Sequence, residues 1–159
     1  MADAAFAEAA PAGAALHPAF DWRRIAYLVQ VSRAMDRLEE ERLVPERKVL
    51  YQFSARGHDM AQVMLGSRLT HRHDAVCGYY RSRPLLLSLG VPLDDALGSG
   101  MGRAGGYSDG RDIGVVFNYP NPGGVPALPM CGGVGAQYTP TAGWAQAIRY
   151  HRGVLGDQG

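Results

Sequence analysis

Apolar residues at Ile25, Leu28, Val29, Met35 and Leu38 recur at three-, four- and seven-residue spacings, which predicts an amphipathic helix with one stripe facing a core. Asp21 stands at the N-cap position and Pro45 marks the far end. Arg23, Arg24, Arg33 and Arg37 fall off the stripe, and Glu39, Glu40 and Glu41 beside Arg37 and Arg42 predict an exposed, charge-laced face that needs no function. Lys48 to Ser54, with Val49, Leu50, Tyr51 and Phe53, is too short and uneven for a long strand and reads as extended or irregular, before Gly57 breaks the chain.

From His58 the apolar positions Ala61, Val63, Met64, Leu65 and Leu69 predict a second, largely buried helix. Ala75 to Tyr79 is short and apolar, as a buried strand or extended link should be. Leu85, Leu86, Leu87 and Leu89 predict a helix stopped by Gly90, and Pro92 opens another with Asp94 and Asp95 in its first turn, where carboxylates meet the helix dipole favourably. Residues 102 to 131 are dense in glycine and proline and read as one long loop, a feature that tends to be functional or disordered. Helical character resumes from Ala136 to Tyr150, where the small residues Ala142, Gly143, Ala145 and Ala147 predict close packing on a neighbour. Residues 1–19 are alanine-rich with Asp3 and Glu8 and no basic start, so they predict a flexible tail, leaving 20–159 as the structured domain.

Composition narrows the partners. The 159 residues are 47% apolar, enough for a core, and 16 Lys+Arg against 15 Asp+Glu leave no long-range field to draw nucleic acid. No apolar run reaches the roughly 20 residues of a membrane-spanning helix. Cys77 and Cys131 form neither a CxxC pair nor a disulfide framework, so a cytoplasmic setting is expected.

Against that neutral background, Tyr79-Tyr80-Arg81-Ser82-Arg83-Pro84 concentrates two guanidinium groups and two phenols. Guanidinium donors match phosphate oxygens and a phenol adds a neutral donor, so the segment predicts an anion site. A second stretch, Cys131-Gly132-Gly133-Val134-Gly135-Ala136-Gln137, is glycine-rich and precedes a helix, where backbone groups can approach a ligand. It matches neither the dinucleotide fingerprint nor the P-loop. His58, Asp59, His71, His73, Asp74 and Cys77 fit no zinc spacing, and His71 to Asp74 reads as a polar turn. Ser54 or Cys77 as a nucleophile would need a base and an oxyanion site that the sequence does not identify.

The order of these pieces resembles the alpha subunit of thiamine diphosphate-dependent 2-oxo acid dehydrogenases. The resemblance runs over residues 20 to 155: Phe53 to Ala61 as a helix entry, Tyr79-Tyr80-Arg81, Gly102-Arg103 opening a glycine-rich loop, then Gly132 to Gln137 with Ala142-Gly143. It implies an α/β fold, a partial thiamine diphosphate-binding domain of the transketolase-like type, whose helix-rich amino-terminal portion is present here and most of whose parallel sheet lies downstream. It implies that Tyr80 and Arg81 bind the diphosphate, with Tyr79 nearby, and that backbone groups of Gly132 and Val134 hold the aminopyrimidine ring, with Gln137 orienting that loop. The implied partners are a beta subunit or beta-like region, a lipoyl-bearing acyltransferase and a 2-oxo acid, with magnesium beside the cofactor and no nucleic acid or membrane.

Departures from the pattern are part of the reading. Some pyruvate-type relatives place a histidine where this chain has Arg83, and Met60 stands in place of the usual alanine. The family's Gly-Asp-Gly metal motif is not found; Gly156-Asp157-Gln158-Gly159 follows the helix directly, with no apolar strand before it. The expectation is therefore an amino-terminal fragment, inactive alone, whose magnesium ligands lie downstream and whose proton-transfer carboxylate belongs to the beta subunit. The competing expectation is a non-catalytic interaction module that keeps the fold's packing and turns its arginines toward a partner.

Overall fold

A computed structural model describes residues 19–157; the expected tail lies outside the described residues except for Ala19, as do Gln158 and Gly159. Helix α1, Trp22–Leu38, begins where Asp21 accepts a hydrogen bond from the Arg24 amide at 3.0 Å, tying off one of the first-turn donors. Ile25, Leu28, Val29 and Met35 are buried along its stripe. The last turns of that stripe are polar: Ser32, Asp36 and Glu39 are buried, while Leu38 is only half-buried. This corrects the expectation of a uniformly solvated glutamate run. Glu40 and Glu41 are exposed, but Glu39 follows Asp36 by three residues and shares its inward face. The chain continues into a π-helical turn, Glu39–Leu43.

Helix α2, Asp59–Gly66, packs on α1 and on α3, Arg83–Ser88. It is less buried than its composition predicts: Asp59, Val63 and Gly66 are buried, while Met60, Ala61 and Leu65 face solvent, because an eight-residue helix resting on two neighbours hides only one side. Gly66 sets how near α3 can come, since a Cβ there would lie 1.7 Å from Ser88 Oγ. Pro84 sits in the first turn of α3, Leu85, Leu86 and Leu87 fill the core, and the helix stops before Gly90. Helix α4, Leu93–Gly100, carries Asp94 and Asp95 in its first turn.

The glycine- and proline-rich segment from 102 to 131 is irregular, yet it completes the core. Val115, Phe117 and Tyr119 alternate inward, and Ala127 is fully buried between them and Val76. Val76 pairs with Ala127 in a parallel bridge and Tyr119 pairs with Ala127 in an antiparallel one. Among the described residues these isolated bridges are the only β-pairing, so the described chain is helix-rich and nearly strandless. Helix α5, Tyr138–Gly153, has no buried residue. Ala142, Gly143, Ala145 and Ala147 are exposed rather than packed on a neighbour, and the helix is held through Trp144, whose indole N–H donates to the His73 carbonyl at 2.7 Å. Among the described residues no helix is long and apolar enough to cross a membrane.

Charged groups join the helices. Arg83, at the start of α3, is buried and donates to Glu39 through Nη1 at 2.5 Å and Nη2 at 3.0 Å, and to Asp36 through Nη2. Burial works against its charge, but the hydrogen bonds and charges of Glu39 and Asp36 outweigh it and raise the guanidinium's pKa. Nearer the surface, Arg33 of α1 grips Asp59 of α2 through Nε at 2.5 Å and Nη2 at 3.2 Å. That hydrogen bonding holds the Asp59 carboxyl below the usual carboxylate range, against the opposing effect of burial.

Replacing Arg83 by Met leaves two buried carboxylates without their cation and should cost about 3–5 kcal/mol in urea unfolding. The Asp59 contribution has the opposite dependence on acid to that of a raised base. It is fully present above the ordinary unfolded value of about 3.9 and is lost as pH falls through the lower folded value. Asp59→Asn should therefore be less stable at neutral pH and show a shallower loss of stability below about pH 4, measured by urea midpoints across the acid range.

Candidate functional site

A tight turn presents the Tyr-Arg pair. The Ser82 amide donates to the Tyr79 carbonyl at 2.8 Å, and the Tyr79 amide donates to Ser82 Oγ at 3.0 Å, so the serine closes the turn from both ends. Gly78 is required just before it, because a Cβ there would lie 2.7 Å from Ser82 Oγ, 2.8 Å from Ser82 Cβ and 3.0 Å from Met130 Sδ. The turn separates the two arginines. Arg83 points inward to Asp36 and Glu39, while Arg81 stays half-exposed. The expectation of two guanidinium groups aimed at one anion is thus corrected. With two carboxylates on one helix face opposite it, a buried Arg83 is where their charge is neutralised, and it has none to offer a ligand.

Arg81 is fixed by three contacts. Its Nη1 donates to the Ser54 carbonyl at 2.7 Å, its Cζ lies 5.5 Å from the Tyr80 ring centroid, and its own carbonyl accepts from Gln62 Nε2 at 3.0 Å. Gln62 also accepts from the Leu85 amide at 3.3 Å, spanning the turn. Tyr80 packs between Phe53 and Tyr79, with ring centroids 4.5 and 4.9 Å away.

Facing this turn is the glycine-rich stretch. The Ala136 amide donates to Gly133 and the Tyr138 amide to Gly135, both at 3.2 Å, and Gln137 Nε2 donates to the Cys131 carbonyl at 3.0 Å, bracing the loop at the entry of α5. Gly132 lies against Tyr80: a Cβ on it would meet Tyr80 Cδ1 at 3.7 Å. Val134 is almost fully exposed. Tyr79, Tyr80, Arg81 and Val134 line one open groove of about 500 Å³; Gly132 is not among its lining residues and approaches it only through Tyr80. That volume is within the range of small-molecule sites. His58, Gln62, Cys77 and Tyr138 line it as well. Among the described residues lining the groove there is no aspartate or glutamate, so Arg81 faces a space with no built-in anion.

Gln62 escaped the sequence reading because a glutamine in a short helix carries no signature of its own; its role emerges only when α2 meets the Arg81 turn. His58, a metal-ligand type by residue chemistry, lines this groove instead. Among the described residues no group of three or more His, Cys, Asp or Glu is placed to hold a metal ion. His71 to Asp74 forms a polar turn, the His71 amide donating to Asp74 Oδ2 at 2.8 Å and the Asp74 amide to the His71 carbonyl at 2.9 Å. Asp157 pairs with Arg72 and lies 3.3 Å from His73 Nε2. Ser54 gives its hydroxyl hydrogen to Asp36, at 2.7 Å. Burial, with a smaller push from the charge of Cys131, raises the Cys77 thiol above its ordinary value, which keeps it protonated and a poor nucleophile.

A second groove of about 530 Å³ lies between α4 and the loop that begins at Gly102-Arg103. Two of its three acids are committed to the loop itself, Asp95 accepting from the Tyr107 amide and Asp109 from the Gly105 amide, each at 2.9 Å, while Asp94 stands exposed in the first turn of α4. No protein-family model matches the chain, and no curated protein and no solved structure matches it.

Gly78 and Gly132 should respond differently to substitution. Gly78→Ala forces Ser82 and Met130 apart and should cost about 1–3 kcal/mol, whereas Gly132→Ala meets only an ordinary contact and should stay within about 0.5 kcal/mol of the parent. Thermal melts of the two variants compare them directly.

Proposed function

We propose that this chain forms the cofactor-anchoring part of a thiamine diphosphate-dependent 2-oxo acid dehydrogenase alpha subunit, with Arg81 and Tyr80 as the grip on the diphosphate. One observation carries the reading: Tyr79, Tyr80, Arg81 and Val134 line a single groove whose described lining includes a guanidinium and no carboxylate. A half-exposed arginine, fixed on one edge by Ser54, offers its remaining donors to phosphate oxygens. The carbonyls and amides of Gly132 to Val134, carried on a loop whose glycines add no side chains, suit the donors and acceptors of an aminopyrimidine ring.

On this reading the helices belong to an α/β domain of the transketolase-like type. When bound, thiamine diphosphate supplies the nucleophilic carbon and the electron sink for decarboxylating a 2-oxo acid. This chain's own residues bind and orient. Arg81 neutralises diphosphate charge, Tyr80 supports the guanidinium through its ring face, and the loop braced by Gln137 sets the ring's position. The magnesium ligands, the proton-transfer carboxylate and the acyl-accepting lipoyl group are assigned to other parts of the assembly, with a beta subunit and a lipoyl-bearing acyltransferase as partners.

The interaction-module reading is favoured by one different observation: α5 exposes Tyr138 and Tyr150, followed by Val154 and Leu155, and buries nothing. Ligand binding separates the two readings. Calorimetry should detect thiamine diphosphate binding by the chain, and Arg81→Met should weaken it about 10- to 100-fold, the range for losing hydrogen bonds to a charged group. Equal affinity in parent and variant would remove Arg81 from the site, and no heat with either would leave the interaction module as the better account.

A further inference from the structure

We propose that Asp36, on α1 and outside the groove, is the positioning residue that sets Arg81 for anion binding. The inference rests on the anion-binding reading of the groove. Asp36 is fully buried and its two carboxylate oxygens are divided between two tasks. Oδ1 receives Arg83 Nη2 and, at 3.5 Å, Gln52 Nε2; Oδ2 receives the Ser54 hydroxyl at 2.7 Å and lies 3.9 Å from Arg56 Nε. Ser54 in turn offers its backbone carbonyl to Arg81 Nη1 at 2.7 Å. A closed circuit results: Asp36 holds Ser54, Ser54 holds the Arg81 guanidinium, the backbone leads two residues on to Arg83, and Arg83 returns to Asp36.

The circuit matters because Ser54 lies in a segment without regular structure, where no ladder of hydrogen bonds fixes the direction of its carbonyl. Its side chain does so instead, donating to Asp36 and accepting from the Arg56 amide at 3.2 Å. Without that anchor the peptide can rotate, and Arg81 loses the acceptor that aims it. An arginine side chain carries a large rotamer entropy, so fixing it before the ligand arrives raises affinity without adding a contact to the ligand. Asp36 thus serves both arginines of the motif, one as a direct partner and the other through a serine.

The test uses inorganic diphosphate as the calorimetric probe on the full chain. Ser54→Ala cuts the circuit without removing a charge, and should weaken binding about tenfold, the equivalent of one well-made hydrogen bond. Ser54→Thr restores the hydroxyl and should recover affinity. Asp36→Asn should weaken binding to a similar extent while Glu39 continues to neutralise Arg83; if that variant unfolds, the serine pair still decides. In an Arg81→Met background, Ser54→Ala should cause no further loss, whereas general loosening of the groove would weaken both backgrounds. If the parent binds diphosphate, Arg81→Met weakens it and Ser54→Ala does not, the positioning role is overturned and the anion site survives. A parent chain that binds no diphosphate overturns both.

Discussion

A buried ionic cluster ties the end of α1 and the π-helical turn to the start of α3. Arg83 enters from the first turn of α3 and meets Asp36 and Glu39 on the inner face of α1, nearly fifty residues earlier in the chain. Charges taken out of water are costly, and a cluster of this kind adds little stability over well-packed apolar groups. What it contributes is position. Its geometry can be satisfied only when α1, the π-helical turn and the start of α3 are in register, so the direction in which the chain emerges before Pro84 is set by electrostatics as well as by packing.

That fixed direction lets two arginines, separated by a single serine, do unlike work. Arg83 is spent inside the protein, and the turn closed by Ser82 leaves Arg81 on the surface. Gly78 and Gln62 complete the arrangement, the first by keeping clear of Ser82 and the second by spanning the turn from α2. A cationic groove in a chain with almost no net charge is thereby made by local sorting. The acids opposite one arginine are buried with it, and none is among the described residues lining the space before the other.

The chain's pattern was informative where local rules act alone. Asp21 as a cap, Gly90 after a helix and Asp94 and Asp95 in a first turn each follow from backbone chemistry at one or two positions. The Glu39 run misled because charge composition describes an average, whereas burial depends on which residue shares a face. Asp36 and Glu39 continue the stripe of Ile25, Val29 and Ser32, and spacing carries that information even though polarity conceals it. Val115, Phe117 and Tyr119 alternate with period two inside a segment whose glycines and prolines dominate its appearance, so a core-forming segment reads as loop. The partnership of Gln62 with Arg81, and of Ser54 with both Asp36 and Arg81, joins residues from separate elements and has no trace in local sequence.

Helix α5 ends its glycine-rich entry on one wall of the groove, yet it is tied to the body by Trp144 and by the polar contacts of Asp157 rather than by a buried face. Segments with few apolar contacts open independently of the global unfolding reaction. Its amide protons should therefore exchange with solvent on a faster clock than those of α1 and α3, and a molecule bridging Arg81 to Gly132 and Val134 would slow that clock. A ligand held by both walls of the groove would therefore couple its occupancy to the order of α5.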